Sequence, residues 1–263
     1  MNPIPTSKPE GVLLGCVPVD GSTITVSWFS AGVSSAVATW LEIGRVQRII
    51  YTHIDDQHED TLRFVRDCER WWNRSVEIIQ AQLKTVEEAC LYRQFVNGPG
   101  GASCTRMLKR ELRKQWENKT QFFNRFRYVW GFDMNETNRA DDIRDAMREH
   151  EHVFPLIERK ISKREAHAII AAHGIKRPEM YDLGYPNNNC VGCVKGGAGY
   201  WNKIRVDFPK VFAKRAAMER AIGGTCLNGT YLDELDPAAG RDVGPVVPEC
   251  GVACELLSLS AKP

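Results

Sequence analysis

The side chains best suited to chemistry in this chain of 263 residues are its nine cysteines. Cys190 and Cys193 form a Cys-x-x-Cys turn, and Cys104 lies upstream on a basic stretch. Such a turn presents two thiolates to one metal centre, and a helix elsewhere can supply others. The pair could equally be a redox dithiol. All three could also be buried, inert thiols, because free cysteine packs as a small hydrophobe. A closed metal site needs a fourth ligand, for which Cys250 and Cys254 in Glu249-Cys250-Gly251-Val252-Ala253-Cys254 are the candidates. A nucleophilic thiol there would need a cation or a helix end to lower its pKa.

A second chemistry is written in Thr23 to Leu41. Ile24, Val26 and Trp28 alternate and Phe29 follows, which predicts a buried strand. Ser30-Ala31-Gly32-Val33-Ser34-Ser35 is a turn of small residues, and Ala36, Val37, Trp40 and Leu41 recur at helical spacing. Strand, small-residue loop and helix N-terminus together make an anion site. Backbone N–H groups and the helix dipole face a phosphate, and Ser30, Ser34 and Ser35 add hydroxyl donors. The bland alternative is a tight connection with nothing bound.

The elements that must position these groups alternate strand and helix, which predicts a mostly parallel sheet covered on both faces. Strands are expected at 46–51, 76–80, 126–132 and 153–157, the last an edge strand because of its internal proline. Helices are expected near 62–72, 85–95, 103–116 and 163–173, with Gly174 as a stop signal, and at 206–222. His167 and His173 read as ordinary helix residues. The second strand runs into an acidic segment containing Asp55, Asp60 and Thr61. That segment is either a solvated helix cap or a contact to ribose or to a phosphate-bound metal. The basic residues of 103–116 read as a solvated helix face. Lys195, Gly196, Gly197, Gly199, Lys203 and Arg205 follow the cysteine turn, either as an anion-binding stretch or as a flexible turn.

Several of these segments resemble one family. Ser30–Ser35 resembles the pyrophosphate-binding PP-loop, S-G-G-x-D-S, of the adenine nucleotide α-hydrolase superfamily, with Ala31 for the first Gly and Ser34 for the Asp. Asp55 with Asp60-Thr61 resembles the D-T-G…E-T segment of phosphoadenosine phosphosulfate (PAPS) reductases. Gly131, Glu136 and Arg139 match their Gly-x-Arg…Glu-Ser…Arg strand end, although Asp133 stands where a basic residue is expected. Tyr181-Asp182-Leu183-Gly184-Tyr185-Pro186 followed by Cys190-x-x-Cys193 is similar to the Y-D-x-G-Y-P…C-x-x-C of PAPS and adenylylsulfate reductases. Glu249-Cys250-Gly251 is similar to their E-C-G-x-H, with Ala253 in place of His.

The resemblance implies an α/β three-layer sandwich that binds ATP or a PAPS-type nucleotide through Ser30, Ala31, Gly32, Val33, Ser34, Ser35, Asp55, Asp60, Thr61, Gly131, Glu136 and Arg139, with magnesium as an accompanying ion. It also implies a 4Fe–4S cluster, zinc being the alternative, on Cys104, Cys190 and Cys193, with Cys254 or Cys250 as the fourth ligand the chain itself offers, and Cys250 as the attacking thiol. Ser103 replaces one member of the family's upstream cysteine pair. Three activities follow: adenylation-linked sulfur chemistry with ATP, perhaps on a nucleobase; reduction of a sulfonucleotide with release of sulfite; or nucleotide binding without turnover.

The expected organisation is an N-terminal arm at 1–21, the nucleotide-binding α/β unit at 22–205, and a helix and tail at 206–263 that folds back to deliver Cys250. Hydrophobic content of 43% supports a packed core. Net charge is only +2, so no global attraction to nucleic acid or membrane follows, whereas local basic patches remain open. No apolar run approaches the ~20 residues needed to span a bilayer. With no secretion signal and an odd cysteine count, a cytoplasmic protein without a disulfide framework is expected. A homodimer is compatible with all of this.

Overall fold

The computed structural model describes residues 23–120 and 125–241. Five parallel strands form one sheet: β1 (Ile24–Phe29), β2 (Arg48–His53), β3 (Glu77–Gln80), β4 (Phe126–Val129) and β5 (Glu151–Val153), in the order β3-β2-β1-β4-β5. The chain therefore winds outward from β1 to β3 and returns to place β4 on the other side of β1. The register sets Val26 of β1 beside Arg48 of β2 and Tyr128 of β4. A crevice opens at such a reversal, outside the carboxyl ends of the two central strands.

Helices cover the sheet, making the three-layer α/β sandwich expected from strand–helix alternation. They are α1 (Val33–Leu41), α2 (Asp60–Trp72), α3 (Val86–Arg93), α4 (Glu111–Thr120), α5 (Thr137–Ala146), α6 (Pro155–Glu158), α7 (Lys163–Ala172), α8 (Glu179–Asp182), α9 (Ala198–Asp207) and α10 (Pro209–Ile222). The strand pleat divides the core. Phe29, Ile49, Tyr51 and Val129 pack with residues of α1, α2 and α7. Ile24, Val26, Ile50, Phe126 and Tyr128 face the other way, onto Trp116 of α4. A third cluster joins α3, α9 and α10 around Cys90, Cys190, Trp201 and Cys226. No helix among the described residues is long and apolar enough to cross a membrane.

Several expected boundaries move. β4 stops at Val129, before Gly131, and β5 ends at Val153 because Pro155 opens α6 rather than sitting within a strand. Proline has no N–H to give a ladder but suits a first helical turn, where that donor is unneeded. β5 is an edge strand, as expected. The basic 103–116 stretch is not one regular helix: Thr105–Arg110 is π-helical and continues into α4. The helix expected from 206 is two, since α9 begins at Ala198 and runs through that position, and Phe208-Pro209 breaks it from α10. Local capping follows the sequence closely. Thr85 and Ser162 each close a capping box with Glu88 and Glu165, and Gly174 takes φ +70° just past α7.

Candidate functional site at the carboxyl edge of the sheet

The 30–35 loop joins β1 to α1 at the reversal point. Ala31 adopts φ +56°, a left-handed conformation that costs a non-glycine residue about 1–2 kcal/mol. Two side chains from far along the chain hold it there. Asn188 Nδ2 donates to the Ala31 carbonyl at 2.8 Å. The Tyr181 hydroxyl accepts the Val33 N–H at 3.3 Å. The Val33 amide, expected to face a phosphate, is thus already partnered. Ser35 Oγ donates to the Gly32 carbonyl at 2.8 Å and receives the Ser30 backbone N–H at 3.2 Å. With its one proton used in this way, Ser35 Oγ accepts from Ser30 Oγ at 2.9 Å. Ser30 and Ser35 therefore shape the loop first. The amides of Ser34 and Ser35, second and third in the helix, have no hydrogen-bond partner among the described residues and are the donors left for an anion.

Gly131, just past β4, presses on this turn. A Cβ built there would lie 2.3 Å from Ser35 Cα and 2.6 Å from Ser35 N. Beyond it the Asp133 N–H donates to Glu136 Oε2 at 3.1 Å, and Glu136 forms an ion pair with Arg139. Sequence analysis found an acid, Asp133, where a basic residue was expected. The cation at this corner comes instead from Lys163, at the start of α7, whose Nζ donates to Asn187 Oδ1 at 2.5 Å. Burial lowers the Lys163 pKa, opposed by Asp133 and Glu136. Nothing in the local sequence around Lys163 marked it as part of the site.

At the end of β2, Asp55 receives Gln80 Nε2 at 2.6 Å and stays half exposed. Asp60 and Thr61 have other work. Asp60 takes two bonds of 2.6 Å from Arg63 and the Glu179 N–H at 2.8 Å. Arg63 holds its carboxyl below the usual range. Thr61 is buried against Asn188. Both tie α2 to the 177–188 segment.

The cysteine turn docks on the same edge. Cys190 bridges to Gln57, and the Val191 N–H donates to the Asp56 carbonyl at 2.7 Å. Arg215 of α10, wholly buried, reaches Asp56 Oδ1 at 2.6 Å and donates through Nε to the Gly192 carbonyl at 3.3 Å. Gly192 has φ +71°, and a Cβ there would meet Val211 Cγ1 at 2.7 Å, so the turn fits closely on α10.

Cys104, Cys190 and Cys193 lie within electrostatic reach of one another. Burial pushes Cys190 up to about 12, with Lys109 opposing and Cys193 and Cys104 adding. Burial and then Cys193 raise Cys104. Cys90, which sequence analysis did not single out, is pushed to about 12 by burial and then by Cys104. The donor chemistry suits a soft, thiolate-bound centre. Among the described residues, however, no three His, Cys, Asp or Glu side chains are arranged to hold a single metal ion. Cys250 and Cys254 lie outside the described residues.

His167 lies beneath the site with its ring edge-on to Tyr181, centroids 4.6 Å apart. Both ring nitrogens lack a partner among the described residues and the residue is 1% exposed. Burial, then Arg177 and Lys163, pull its pKa down to about 4 against the ordinary 6.5, with Asp182 opposing. The unfolded chain therefore binds a proton that the folded chain refuses. The His167 contribution to stability should be full above pH ~6.5 and fall by about 3 kcal/mol as the pH drops from 6.5 to 4. Urea unfolding at pH 7 and pH 4.5 should show that part of the acid loss disappears in His167→Leu. An unaltered pH dependence in this variant would exclude His167 as the source.

No protein-family model matches this chain, and no curated protein matches it.

Proposed function

We propose that the chain binds an adenine nucleotide, ATP or a sulfonucleotide, in the crevice between β1 and β4 and carries out sulfur chemistry linked to its α-phosphate. One observation carries this reading: the small-residue loop at 30–35 and the close-packed Gly131 meet at the reversal point of a parallel sheet. That is where such sheets bind nucleotides, and two amides of the first helical turn there lack partners. Lys163 supplies a positive charge beside it, with Asp55 on the neighbouring strand end. The resemblance to PAPS reductase-like proteins in the PP-loop, the Tyr181–Pro186 segment and the cysteine turn supports the same reading. Cys104, Cys190 and Cys193 with Cys254 are the residues that would hold an iron–sulfur cluster, which when bound would place a redox-capable group near the nucleotide. Cys250 is the thiol assigned to attack. Magnesium would travel with the nucleotide rather than on a dedicated carboxylate, because Ser34 stands where the PP-loop pattern has Asp.

Gly32→Val tests the nucleotide site. Gly32 has an ordinary extended backbone, φ −99° and ψ 160°, and a Cβ there meets only Tyr181 Oη at 3.4 Å and Ser30 Oγ at 3.5 Å. The fold should accept valine with little change in melting temperature. The added methyls would crowd a phosphate at the helix end, so affinity for ATP or PAPS in calorimetric titration should fall at least about tenfold, or ~1.4 kcal/mol. Unchanged affinity in a folded variant would exclude this loop as the phosphate site. Assays of pyrophosphate, AMP and sulfite with ATP, adenylylsulfate and PAPS then decide which reaction the parent performs.

A further inference from the structure

A second cleft lies on the same edge of the sheet, away from the 30–35 loop. Its volume is about 240 Å³, and it is lined by Gln82 and Leu83 beyond β3, Tyr92 of α3, and Met107, Glu111 and Gln115 of the π-helical segment and α4. Tyr92 is 71% exposed although it is aromatic, and Phe95, one turn on, is 42% exposed. A large aromatic held open at the mouth of a cleft is a surface for stacking a planar ring. Gln82 and Gln115 add amide donors and acceptors of the kind that read the edge of a heterocycle. Glu111 is paired with Arg106 at 3.1 Å, so the cleft wall does not carry a bare negative charge.

Cations stand on the rim, with the Glu88 carboxylate, which accepts the Lys84 backbone N–H at 2.6 Å, among them. Residues 107, 111 and 115 recur every four positions, and Arg110 and Lys114 lie immediately beside that stripe on the solvent side of the helix. Lys84 follows the cleft residue Leu83. All three are exposed, and none forms an ion pair among the described residues. Unpaired cations beside an open aromatic cleft are what a backbone-tracking, base-stacking surface requires.

We propose that this cleft binds an unpaired nucleobase of a single-stranded nucleic acid, stacked on Tyr92, with the flanking phosphates on Lys84, Arg110 and Lys114. The site is separate from the β1/β4 crevice and does not depend on nucleotide turnover. A duplex would not enter, because its bases are already stacked and paired.

Fluorescence anisotropy with a labelled mixed-sequence single-stranded oligonucleotide tests it at several salt concentrations. The parent chain should bind the single strand more tightly than the matching duplex. Tyr92→Ala, at a position too exposed to affect folding, should weaken single-strand binding about tenfold and leave duplex binding unchanged. Arg110→Gln and Lys114→Gln should each weaken binding and reduce the slope of log affinity against log salt by about one. The proposal is overturned by no binding by the parent, by equal binding of single strand and duplex, or by Tyr92→Ala binding like the parent. Loss in the lysine and arginine variants alone would mark a basic surface for an acidic protein or for phosphates only, and would overturn it too. ATP and PAPS titrations of Tyr92→Ala should match the parent, which keeps this test distinct from that of the crevice.

Discussion

Asp56→Ala should destabilise the folded chain by about 3–5 kcal/mol, the usual cost of removing one partner of a buried ion pair. Arg215 is fully buried, and its charge is answered by Asp56 Oδ1 at 2.6 Å. Asp56 Oδ2 also accepts the Val86 N–H at 2.5 Å, at the first residue of α3. Alanine would leave a guanidinium in a low-dielectric setting and a helix end without its acceptor. In thermal unfolding the midpoint should fall by roughly 10 °C. Arg215→Met in the Asp56→Ala background should recover part of the loss, since the stranded charge is then gone, and a double-mutant cycle reads that coupling directly. A single-variant loss under about 1 kcal/mol would mean that water reaches Arg215 and the pair holds little. The consequence extends to the thiols. Asp56 and Arg215 both touch the cysteine turn, through the Val191 N–H and the Gly192 carbonyl. Loosening the pair should therefore make Cys190 and Cys193 react faster with a thiol reagent.

Gly131→Ala should be the most damaging single-methyl change at the crevice. Its Cβ would fall 2.3 Å from Ser35 Cα and 2.6 Å from Ser35 N, so backbone must move rather than a side chain turn. Overpacking of this kind costs about 1–3 kcal/mol, and a backbone obstacle places this site near the upper end. The displaced element is the first turn of α1, which carries the two unpartnered amides. Nucleotide affinity should thus fall together with stability, in contrast to Gly32→Val, where affinity falls alone. Comparing the two variants by unfolding and by titration separates a packing glycine from a ligand-approach glycine. A Gly131→Ala protein with parental stability would show that β4 and α1 are further apart than the close contact requires.

Much of the architecture was legible along the chain. Apolar alternation in β1, the small-residue turn after it and the stop at Gly174 are local signals, because backbone conformation and strand or helix period are set by neighbours in sequence. Strand–helix alternation dictated a parallel sheet for the same reason, since a parallel pair needs a crossover. The strand ends were less legible: β4 and β5 stop early where Gly131 must reach α1 and Pro155 prefers a helix start.

What only the tertiary structure decided is which distant groups meet. Tyr181 and Asn188 fix the 30–35 loop, Lys163 supplies the cation absent at Asp133, and Asp60 pairs with Arg63 and the Glu179 amide. Arg215 sits in what reads as an appended helix, and it is the buried partner of Asp56. None of these pairings leaves a periodic trace, because a contact between residues far apart in sequence depends on strand order. Strand order is fixed by the packing of the whole sheet, and that placed the loop, Gly131 and the cysteine turn along one edge.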